Sequence, residues 1–484
     1  MTRKITIDPV TRVEGHGKVT IQLDDDDQVV YARLHIVEFR GFERFVQGRP
    51  YWEIPVLVQR LCGICPVSHH LCAAKAMDVI VGAPVLTPTA DKMRRLMHYG
   101  QVFQSHVLHF FHLASPDLLF GMDADPAQRN IIGLIQAFPE LAKKAVLMRK
   151  FGQEVIRVTA GKKIHGTGAI PGGINKHLTP AERDELCSAR PDLNPDLMVA
   201  WAQEGIALFK DYHRKNREQV DGFAAFPSNF LSLVRADGAL DLYHGVLRAV
   251  DSEGRKIFDQ IDYGEYQDHL AEEVRSFTYM KFPFIKKLGQ EAGWYRVGPL
   301  ARLNTCDFIP TPLAQAEFQQ YKAYTGGRPN CMSMHMHWAR LIEVLHAAEM
   351  IRDLLADPEL YAGELVRTGA RRSEGVGLLE APRGTLFHHY RVGEDDLVTM
   401  CNLIVSTTSN NEAMNRSVTW VAKNRLGGRR EIPEGLLNQV EVAIRAYDPC
   451  LSCATHAVGQ MPLEVLLLDG KERVVGRVSR GLGA

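Results

Sequence analysis

The alternation of apolar and polar residues near the start of the chain predicts a β-hairpin over 18–37. Apolar residues occupy every second position of 19–23, the acidic run 24–27 is typical of a solvated turn, and 29–37 returns as the second strand. A strand with this alternation buries one face and exposes the other. We therefore expect a β-rich segment at the amino-terminal end.

From about Pro55 onward the spacing of apolar residues becomes largely helical, as over 92–113 and 180–218. The clearest pattern lies within 338–355, where apolar residues recur at helical spacing. We assign these positions to the core. They are Trp338, Leu341, Ile342, Leu345, Ala348 and Leu355.

The end of the chain combines a helix and a hairpin. Residues 436–447 predict a helix that stops at Asp448-Pro449, because proline limits its continuation. Residues 463–478 predict a hairpin with a favoured Asp469-Gly470 turn. Together the patterns predict an α+β fold that is predominantly helical, with small β-sheet regions in the amino-terminal part and near the carboxyl-terminal part.

Length and charge limit the classes of function. A chain of 484 residues is long enough for two or three domains or one merged domain. Because 57 Lys and Arg residues balance 57 Asp and Glu residues, there is no electrostatic footprint for nucleic acid or an anionic membrane. No apolar window of about 18 residues and no secretory signal is present, so we expect a cytoplasmic protein without a membrane span.

Four of the nine cysteines form two close pairs, Cys62-Gly-Ile-Cys65 and Cys450-Leu-Ser-Cys453. The two-residue gap lets both sulfurs of a pair face one metal ion. Four thiolates suit zinc, an iron-sulfur cluster or nickel. The spacing therefore predicts a metal site and leaves the metal open.

A structural zinc site is the plain alternative for two Cys-x-x-Cys pairs. Such modules place their pairs roughly 15 to 20 residues apart, since the metal replaces a small core. Here most of the chain lies between Cys65 and Cys450, and the chain has ample core of its own. A metal that joins both ends of a large fold favours a role in chemistry.

The residues around both pairs closely resemble the signature motifs of nickel-iron hydrogenase large subunits, and the resemblance covers nearly the whole chain. The matching segments are Arg60-x-Cys62-Gly-x-Cys65, Asp448-Pro-Cys450-x-x-Cys453-x-x-His456, Asp8-Pro-Val-Thr-Arg-Val-Glu-Gly-His16, Phe39-Arg-Gly-Phe-Glu43, residues 165–173 and Ala381-Pro-Arg-Gly384. The wording around the second pair is most similar to the soluble, bidirectional, NAD-reducing branch. The resemblance implies reversible heterolytic cleavage of H2, with electrons passed to NAD+.

By this resemblance Cys62, Cys65, Cys450 and Cys453 bind nickel. Cys65 and Cys453 also bridge to an iron that carries carbon monoxide and cyanide. Soft thiolates suit nickel, and a terminal thiolate is able to accept the proton when H2 splits. Cys450 is the candidate base.

Two glutamates near the start also match the family. Glu14 corresponds to the residue that relays the proton away from the terminal cysteine, a task for a carboxyl group within hydrogen-bond reach; its plain alternative is a turn cap. Glu43 and His456 correspond to ligands of a second metal, usually magnesium. A carboxylate suits magnesium, whereas imidazole suits softer metals.

The resemblance places Arg383 over the metals with Asp448 as its neighbour, and it places Ser406 and Thr407 against the cyanide. The alternative for Arg383 is a surface salt bridge. One departure concerns the residue before His106, which is often aspartate in the family and is Ser105 here. We therefore do not carry over the oxygen response of standard uptake enzymes.

Other chemistry-bearing residues have plainer interpretations. Cys72, Cys187, Cys306, Cys331 and Cys401 lack motif partners and are assigned to structure. His335 and His337, which alternate with methionines, suggest a soft-metal box; core or surface histidines are favoured, because imidazole ligation needs further convergent ligands.

The motifs also suggest a division of the chain. We expect a β-rich segment 1–54 with Glu14 and Glu43, a largely helical catalytic body 55–456 and an extension 457–484. Family members commonly end at the motif histidine after a maturation protease cuts. By resemblance, cleavage follows His456; the alternative is a retained surface hairpin.

Electrons that leave the metals need a route outside this chain. No further Cys-rich run and no Gly-x-Gly-x-x-Gly after a strand is present. The resemblance implies a small iron-sulfur subunit together with a flavin and iron-sulfur diaphorase, and we expect that this chain alone binds no NAD. Alternatives are an enzyme that uses NADP or a deazaflavin, an H2-sensing regulator, and a metal-free scaffold similar to a respiratory complex I subunit. Retention of four cysteines argues against the scaffold.

Overall fold

The computed structural model describes residues 3–187 and 191–455 and the backbone of two later strands. The strands are β1 (Arg3–Ile7), β2 (Gly17–Leu23), β3 (Val29–Ile36), β4 (Ala169–Ile170), β5 (Gly173–Ile174), β6 (Asn229–Val234), β7 (Val246–Val250), β8 (Lys256–Ile261), β9 (Leu270–Glu273), β10 (Phe282–Ile285), β11 (Tyr295–Arg296), β12 (Glu374–Ala381), β13 (Gly384–Val392), β14 (Val398–Ile404), β15 (Leu463–Leu468) and β16 (Val474–Arg480). The helices are α1 (Phe42–Phe45), α2 (Ile54–Leu57), α3 (Pro66–Ile80), α4 (Pro88–Leu108), α5 (Ser115–Phe120), α6 (Ile131–Ala137), α7 (Pro139–Ala160), α8 (Pro180–Cys187), α9 (Pro195–Lys215), α10 (Arg217–Gly222), α11 (Tyr266–His269), α12 (Gly289–Ala292), α13 (Pro299–Thr305), α14 (Pro312–Tyr324), α15 (Met336–Leu355), α16 (Ser406–Ser409), α17 (Asn411–Val421) and α18 (Glu434–Arg445).

The amino-terminal sheet has the antiparallel order β1-β2-β3. Its β2-β3 hairpin confirms the prediction from alternation, and Val19, Ile21 and Leu23 are fully buried. The additional strand β1 pairs along the other edge of β2. The loop between β1 and β2 leaves this sheet and carries Glu14 toward the second cysteine pair, where Glu14 and Cys450 form an isolated parallel bridge.

The helical body is built around α4, α7, α9 and α15, which pack against one another. The stripe predicted within 338–355 lies on α15, which is buried on nearly all sides, including its charged residues Arg340 and Glu343. A helix that is surrounded in this way belongs to the interior of a large fold. The α+β fold class is confirmed, and about half of the structure is helical.

The single helical stretch suggested over 180–218 was wrong, because the structure has α8, α9 and α10 in its place. Asn194 caps α9 by accepting a hydrogen bond from the backbone N–H of Leu197, and Pro195 occupies the first helical turn. Both features start a new helix rather than continue an old one.

An antiparallel sheet of order β12-β13-β14 packs against α3. Gly377 makes this close approach possible, because a Cβ at that position would lie 2.0 Å from the carbonyl oxygen of Cys72 on α3. The contact places the β12-β13 turn, which contains Arg383, beside the start of α3. The first cysteine pair lies at that same helix start.

The carboxyl-terminal helix and hairpin were predicted correctly. Helix α18 buries Val440 and Ile444, and Asp448 follows it with a left-handed φ of 54°. Strands β15 and β16 pair antiparallel, and the Asp469-Gly470 turn between them lies outside the described residues. Among the helices that the structure describes, none is long and apolar enough to cross a membrane.

Candidate metal centre

Four buried sulfur atoms converge from the two distant cysteine pairs. The Sγ atoms of Cys62, Cys65, Cys450 and Cys453 all lie within 4.8 Å of one another. The Sγ of Cys62 is 3.3 Å from that of Cys450, and the Sγ of Cys65 is 3.9 Å from that of Cys453. A single soft ion at the centre of this group would contact thiolates from both ends of the chain.

The first pair is shaped by the start of α3. The backbone N–H groups of Ile64 and Cys65 both donate to the Sγ of Cys62 at 3.2 Å. Pro66 begins α3 immediately afterwards, where its missing N–H carries no cost. These bonds favour a negatively charged sulfur on Cys62, as a metal ligand requires.

The second pair lies in the short 3-10 turn Leu451–Cys453. The backbone N–H of Cys450 donates to Thr407 Oγ1 at 3.0 Å, and the N–H of Leu451 donates to the carbonyl oxygen of Glu14 at 2.9 Å. The amino-terminal loop and α16 therefore hold this turn in place.

The electrostatics of the cluster require a cation. Hydrogen bonds from Cys450 and Cys453 lower the pKa of the Cys65 thiol. Burial raises the pKa of the Cys450 and Cys453 thiols well above the ordinary value. One thiolate is stabilised by its neighbours, but four in contact need a bound positive ion.

Glu14 approaches the cluster from the amino-terminal loop. Cys450 Sγ donates to Glu14 Oε2 at 2.9 Å, and the backbone N–H of Ser452 donates to the same oxygen at 3.2 Å. Glu14 is partly exposed, so one carboxyl group joins a buried thiol to the edge of the protein. This contact is suitable for moving a proton out of the cluster.

Arg383 lies in the turn between β12 and β13 and faces the cluster. Its Nε donates to the carbonyl oxygen of Asp448 at 2.5 Å, and its Nη2 donates to Asp448 Oδ1 at 3.1 Å. Burial alone would lower the pKa of Arg383, but the charges of Asp448 and Cys450 raise it well above its usual value. The surface salt-bridge alternative is wrong, because only 4% of the Arg383 residue is exposed.

A small cavity of about 250 Å³ adjoins three of the sulfurs. Its lining includes Cys65, Cys450, Cys453, Arg383, Ser406, Thr407, Ser68 and His69. Two buried donors there, Arg383 Nη1 and Ser68 Oγ, have no hydrogen-bond partner among the described residues. Unpartnered buried donors beside a void fit a bound group with acceptor atoms.

Ser68 and His69 were not assigned a role from the sequence, although they follow the first pair directly. They lie three and four residues after Cys65 on α3, the spacing that puts side chains on one face of a helix. That spacing was the available signal. Ser406 and Thr407 were both proposed from the sequence and both line the cavity, and the Ser406 hydroxyl donates to the carbonyl oxygen of Gly384 at 2.7 Å.

Glu43 lies at the start of α1 and accepts a hydrogen bond from the N–H of Leu403 at 2.9 Å. Burial raises the pKa of its carboxyl group. The carbonyl oxygen of Thr455 accepts bonds from the N–H groups of Arg40 and Gly41, so the end of the second motif lies beside this loop. The other predicted ligand, His456, lies outside the described residues.

The position of the missing aspartate is occupied by Ser105, which is buried and whose Oγ has no partner within the described chain. The next residue, His106, bonds to Glu343 at 2.8 Å. Arg340 faces Asp448 as Arg383 does, and burial lowers the Arg340 pKa to about 10. Two arginines therefore share the Asp448 carboxylate, which differs from an arrangement with a second acid at Ser105.

Comparison with known proteins decides the family. The description "Nickel-dependent hydrogenase" matches residues 40–137 and 241–456, and the description "HoxL-like" matches residues 4–39. The chain belongs to the nickel-dependent hydrogenase family. The resemblance noted in the sequence is thereby confirmed, and the hydrogenase motifs are the same segments that form the four-sulfur cluster.

Individual hydrogenases are similar over nearly their whole length. The NAD-reducing hydrogenase HoxS subunit beta of Cupriavidus necator is 54% identical, over 99% of this chain and 100% of its own. The F420-non-reducing hydrogenase vhu of Methanococcus voltae has one component that is 44% identical, over 87% of this chain and 98% of its own. A solved structure of an NAD+-reducing NiFe-hydrogenase in the H2-reduced state superposes with a TM-score of 0.91 at 56% identity, covering 94% of this chain and 99% of that chain.

The residues present fit the metals that this family name implies. Four soft thiol donors suit nickel, and a second metal next to Cys65 and Cys453 has a cavity with unpartnered donors beside it. The fit rests on the donor chemistry and the void.

Proposed function

We propose that this chain is the active-site subunit of a nickel-iron hydrogenase that splits H2 reversibly into two protons and two electrons and passes the electrons through partner subunits to NAD+. The observation that carries the proposal is the contact of Cys450 Sγ with Glu14 Oε2 at 2.9 Å, at the edge of a buried four-sulfur cluster. The 54% identical relative, named an NAD-reducing hydrogenase, supports the choice of acceptor.

In this proposal Cys62, Cys65, Cys450 and Cys453 hold nickel, and Cys65 and Cys453 also hold an iron that carries carbon monoxide and cyanide. The cavity of about 250 Å³ beside these two bridging sulfurs supports that position. When bound, the metals supply the redox chemistry and polarise H2 for heterolysis.

The protein's own residues then manage the proton. Cys450 Sγ takes the proton released from H2, and Glu14 Oε2 receives it across their hydrogen bond. Arg383, fixed by Asp448, presents its free Nη1 to the cavity, and Ser406 and Thr407 complete its wall. A buried, fixed cation of this kind favours negative ligands without reorganisation.

Glu43 and His456 are proposed to hold a magnesium ion. The support is the buried carboxyl of Glu43 next to the loop that binds Thr455, one residue before His456. We also propose that a maturation protease cuts after His456, which divides the chain into 1–54, 55–456 and a removable 457–484. Intact mass of active enzyme tests this division: a mass that ends at His456 supports it, and a retained extension contradicts it.

Partner subunits follow from the need to export electrons. An exposed apolar patch precedes the first cysteine pair, and its residues are Phe39, Phe45, Trp52 and Val56, each at least 38% exposed. Such a patch is typical of a protein interface. We propose an iron-sulfur small subunit there, a diaphorase beyond it, and a cytoplasmic location.

The rival assignments differ in the acceptor or in turnover. Steady-state assays with NAD+, NADP+ and a deazaflavin separate the acceptors, and slow turnover with a kinase partner would favour an H2 sensor. A metal-free scaffold would have no use for four converging thiols.

Nickel analysis and infrared spectroscopy of the purified complex test the proposal together. We expect nickel and absorption bands from bound carbon monoxide and cyanide in the wild type, and neither in Cys65→Ser. Cys306→Ser is the matched control, because Cys306 is equally buried but outside the cluster. Bands that survive in Cys65→Ser would contradict the assignment.

A further inference from the structure

Three side chains outside the cysteine cluster converge on one point. His213 lies near the end of α9, Asp221 lies on α10, and His335 lies in the 3-10 turn Ser333–His335 that leads into α15. The Nε2 atoms of His213 and His335 lie 2.8 and 3.0 Å from the same oxygen, Asp221 Oδ1. The three ligand atoms all lie within 4.8 Å of one another. Two imidazoles and a carboxylate from three segments therefore face one centre.

The orientation of the His335 ring is fixed by an amide. Asn330 Oδ1 accepts a hydrogen bond from the N–H of Met332 at 2.9 Å, so the Asn330 amide nitrogen is the atom that faces His335 Nδ1 at 2.9 Å. A ring nitrogen that accepts a hydrogen bond carries a lone pair. The other nitrogen, Nε2, must then hold either a proton or a metal ion.

The second carboxylate oxygen of Asp221 is occupied on the side away from the histidines. Tyr324 Oη donates to Asp221 Oδ2 at 2.5 Å, and Arg217 Nε lies 3.5 Å from the same oxygen. These contacts fix the carboxylate and leave Oδ1 directed at the two imidazoles. The Asp221 side chain is 27% exposed, which gives an ion a way in and leaves room for a water ligand.

We propose that His213, Asp221 and His335 bind a zinc ion, with water as the fourth ligand. Neutral imidazole and carboxylate are normal zinc ligands at roughly 2.0–2.2 Å. Tetrahedral ligands at that distance stand roughly 3.3 Å apart, so the three atoms need to separate by only a few tenths of an ångström. The ion would tie the end of α9 and α10 to the start of α15. This site shares no residue with the cysteine cluster and does not depend on the function proposed for that cluster.

Zinc titration of the purified complex, with its cysteine cluster loaded, tests the site. After treatment with a chelator, the wild type is expected to bind one zinc ion per chain, measured by calorimetry and by elemental analysis. Asp221→Asn, which keeps the size of the side chain and removes its charge, should weaken binding at least roughly tenfold. His213→Gln should do the same and serves as the second variant if one of the two folds poorly.

The matched control is His244→Gln. His244 also pairs with an aspartate, Asp91, but no third ligand joins that pair among the described residues. Zinc binding should therefore be unchanged in this variant. Unaltered nickel content in every variant shows that the chain is folded.

Cobalt substitution identifies the ligands. Cobalt at this site is expected to give ligand-field bands without a sulfur-to-cobalt charge-transfer band. Three results would each overturn the proposal: no zinc uptake by the wild type, equal uptake by Asp221→Asn, or a sulfur charge-transfer band. Destabilisation by Asp221→Asn in a wild type that takes up no zinc would identify a purely hydrogen-bonded cluster.

Discussion

Glu14 and Cys450 are far apart in the sequence and make the contact through which a proton leaves the cluster. Glu14→Gln preserves the size of the side chain and an accepting oxygen but removes the group that takes up a proton. We expect H2 oxidation to fall by roughly 100-fold or more, the range of general acid–base catalysis. Nickel content and the infrared bands should not change.

Glu14→Asp is the control for this variant, because it retains a carboxyl group at a longer distance and should keep part of the activity. Steady-state H2 oxidation measured alongside infrared spectra checks both variants. Wild-type turnover in Glu14→Gln would rule out Glu14 as the proton acceptor.

Arg383 is held by two hydrogen bonds to Asp448, which a lysine cannot reproduce. Arg383→Lys keeps the charge and loses the fixed fork. We expect kcat to fall by roughly 10- to 100-fold and the cyanide bands to shift. Arg391→Lys is the control on the same strand, since that side chain is 55% exposed. Equal effects of the two substitutions would contradict the assigned position of Arg383.

Residue-level prediction from the sequence worked where chemistry is written in spacing. The pairs that contain Cys62 and Cys450 specify a metal site by themselves, and the resemblance supplied Glu14 and Arg383. Ser68 was missed because an unpartnered hydroxyl is a property of its surroundings, which the sequence does not state. The role of His456 stays a prediction.

At the scale of elements, the loop after β1 must pass very close to the turn that carries the second pair. Gly15 has a φ of 81°, and a Cβ there would lie 2.6 Å from the backbone nitrogen of Ser452. Gly15→Ala is therefore expected to lower the free energy of unfolding by roughly 1–3 kcal/mol. It should also reduce turnover, because it displaces Glu14 from Cys450.

Gly48→Ala separates backbone strain from crowding. Gly48 has a φ of 77°, but a Cβ at this position would meet no atom within 4 Å. We expect a loss of roughly 1 kcal/mol and unchanged turnover. Urea unfolding and activity assays compare the two variants, and unchanged turnover in Gly15→Ala would mean that the loop does not position Glu14.

Elements with a clear period were predictable, and others were not. The β2-β3 hairpin alternates and α18 has an apolar face, so both were found. Strands β12 and β13 are buried on both faces along almost their whole length, which removes the two-residue period on which a strand prediction depends. For this reason the turn that presents Arg383 was recognised by its motif and not by its secondary structure.

For the whole molecule, the buried histidines set the response to acid. Burial lowers the pKa of His70, His98, His106 and His346 to about 4. These side chains stay neutral in the folded protein but bind protons in the unfolded chain below a pKa of roughly 6.5. Stability is therefore fully present above that pH and is lost as the pH falls toward 4, by up to roughly 1.4 kcal/mol per pH unit for each histidine.

The urea midpoint of the purified complex, compared at pH 7 and pH 5, measures this effect, and we expect it to fall. His346→Gln should make the fall less steep, whereas His269→Gln, at a partly exposed position, should not. A midpoint that is equal at both pH values would contradict the account.

The assembly of distant segments is the property of the whole chain that local patterns cannot supply. Nothing in the spacing of either pair states that Cys65 and Cys453 lie 3.9 Å apart. Family resemblance predicted their convergence, and the packing of α3, the β12-β13 turn and the amino-terminal loop provides its physical basis.

The central claim is that sulfur atoms from both ends of this chain bind one nickel ion. X-ray absorption at the nickel edge of the purified complex measures the ligands of that ion directly. We predict a first shell dominated by sulfur, from Cys62, Cys65, Cys450 and Cys453. A shell of nitrogen and oxygen atoms, or zinc in place of nickel, would contradict it.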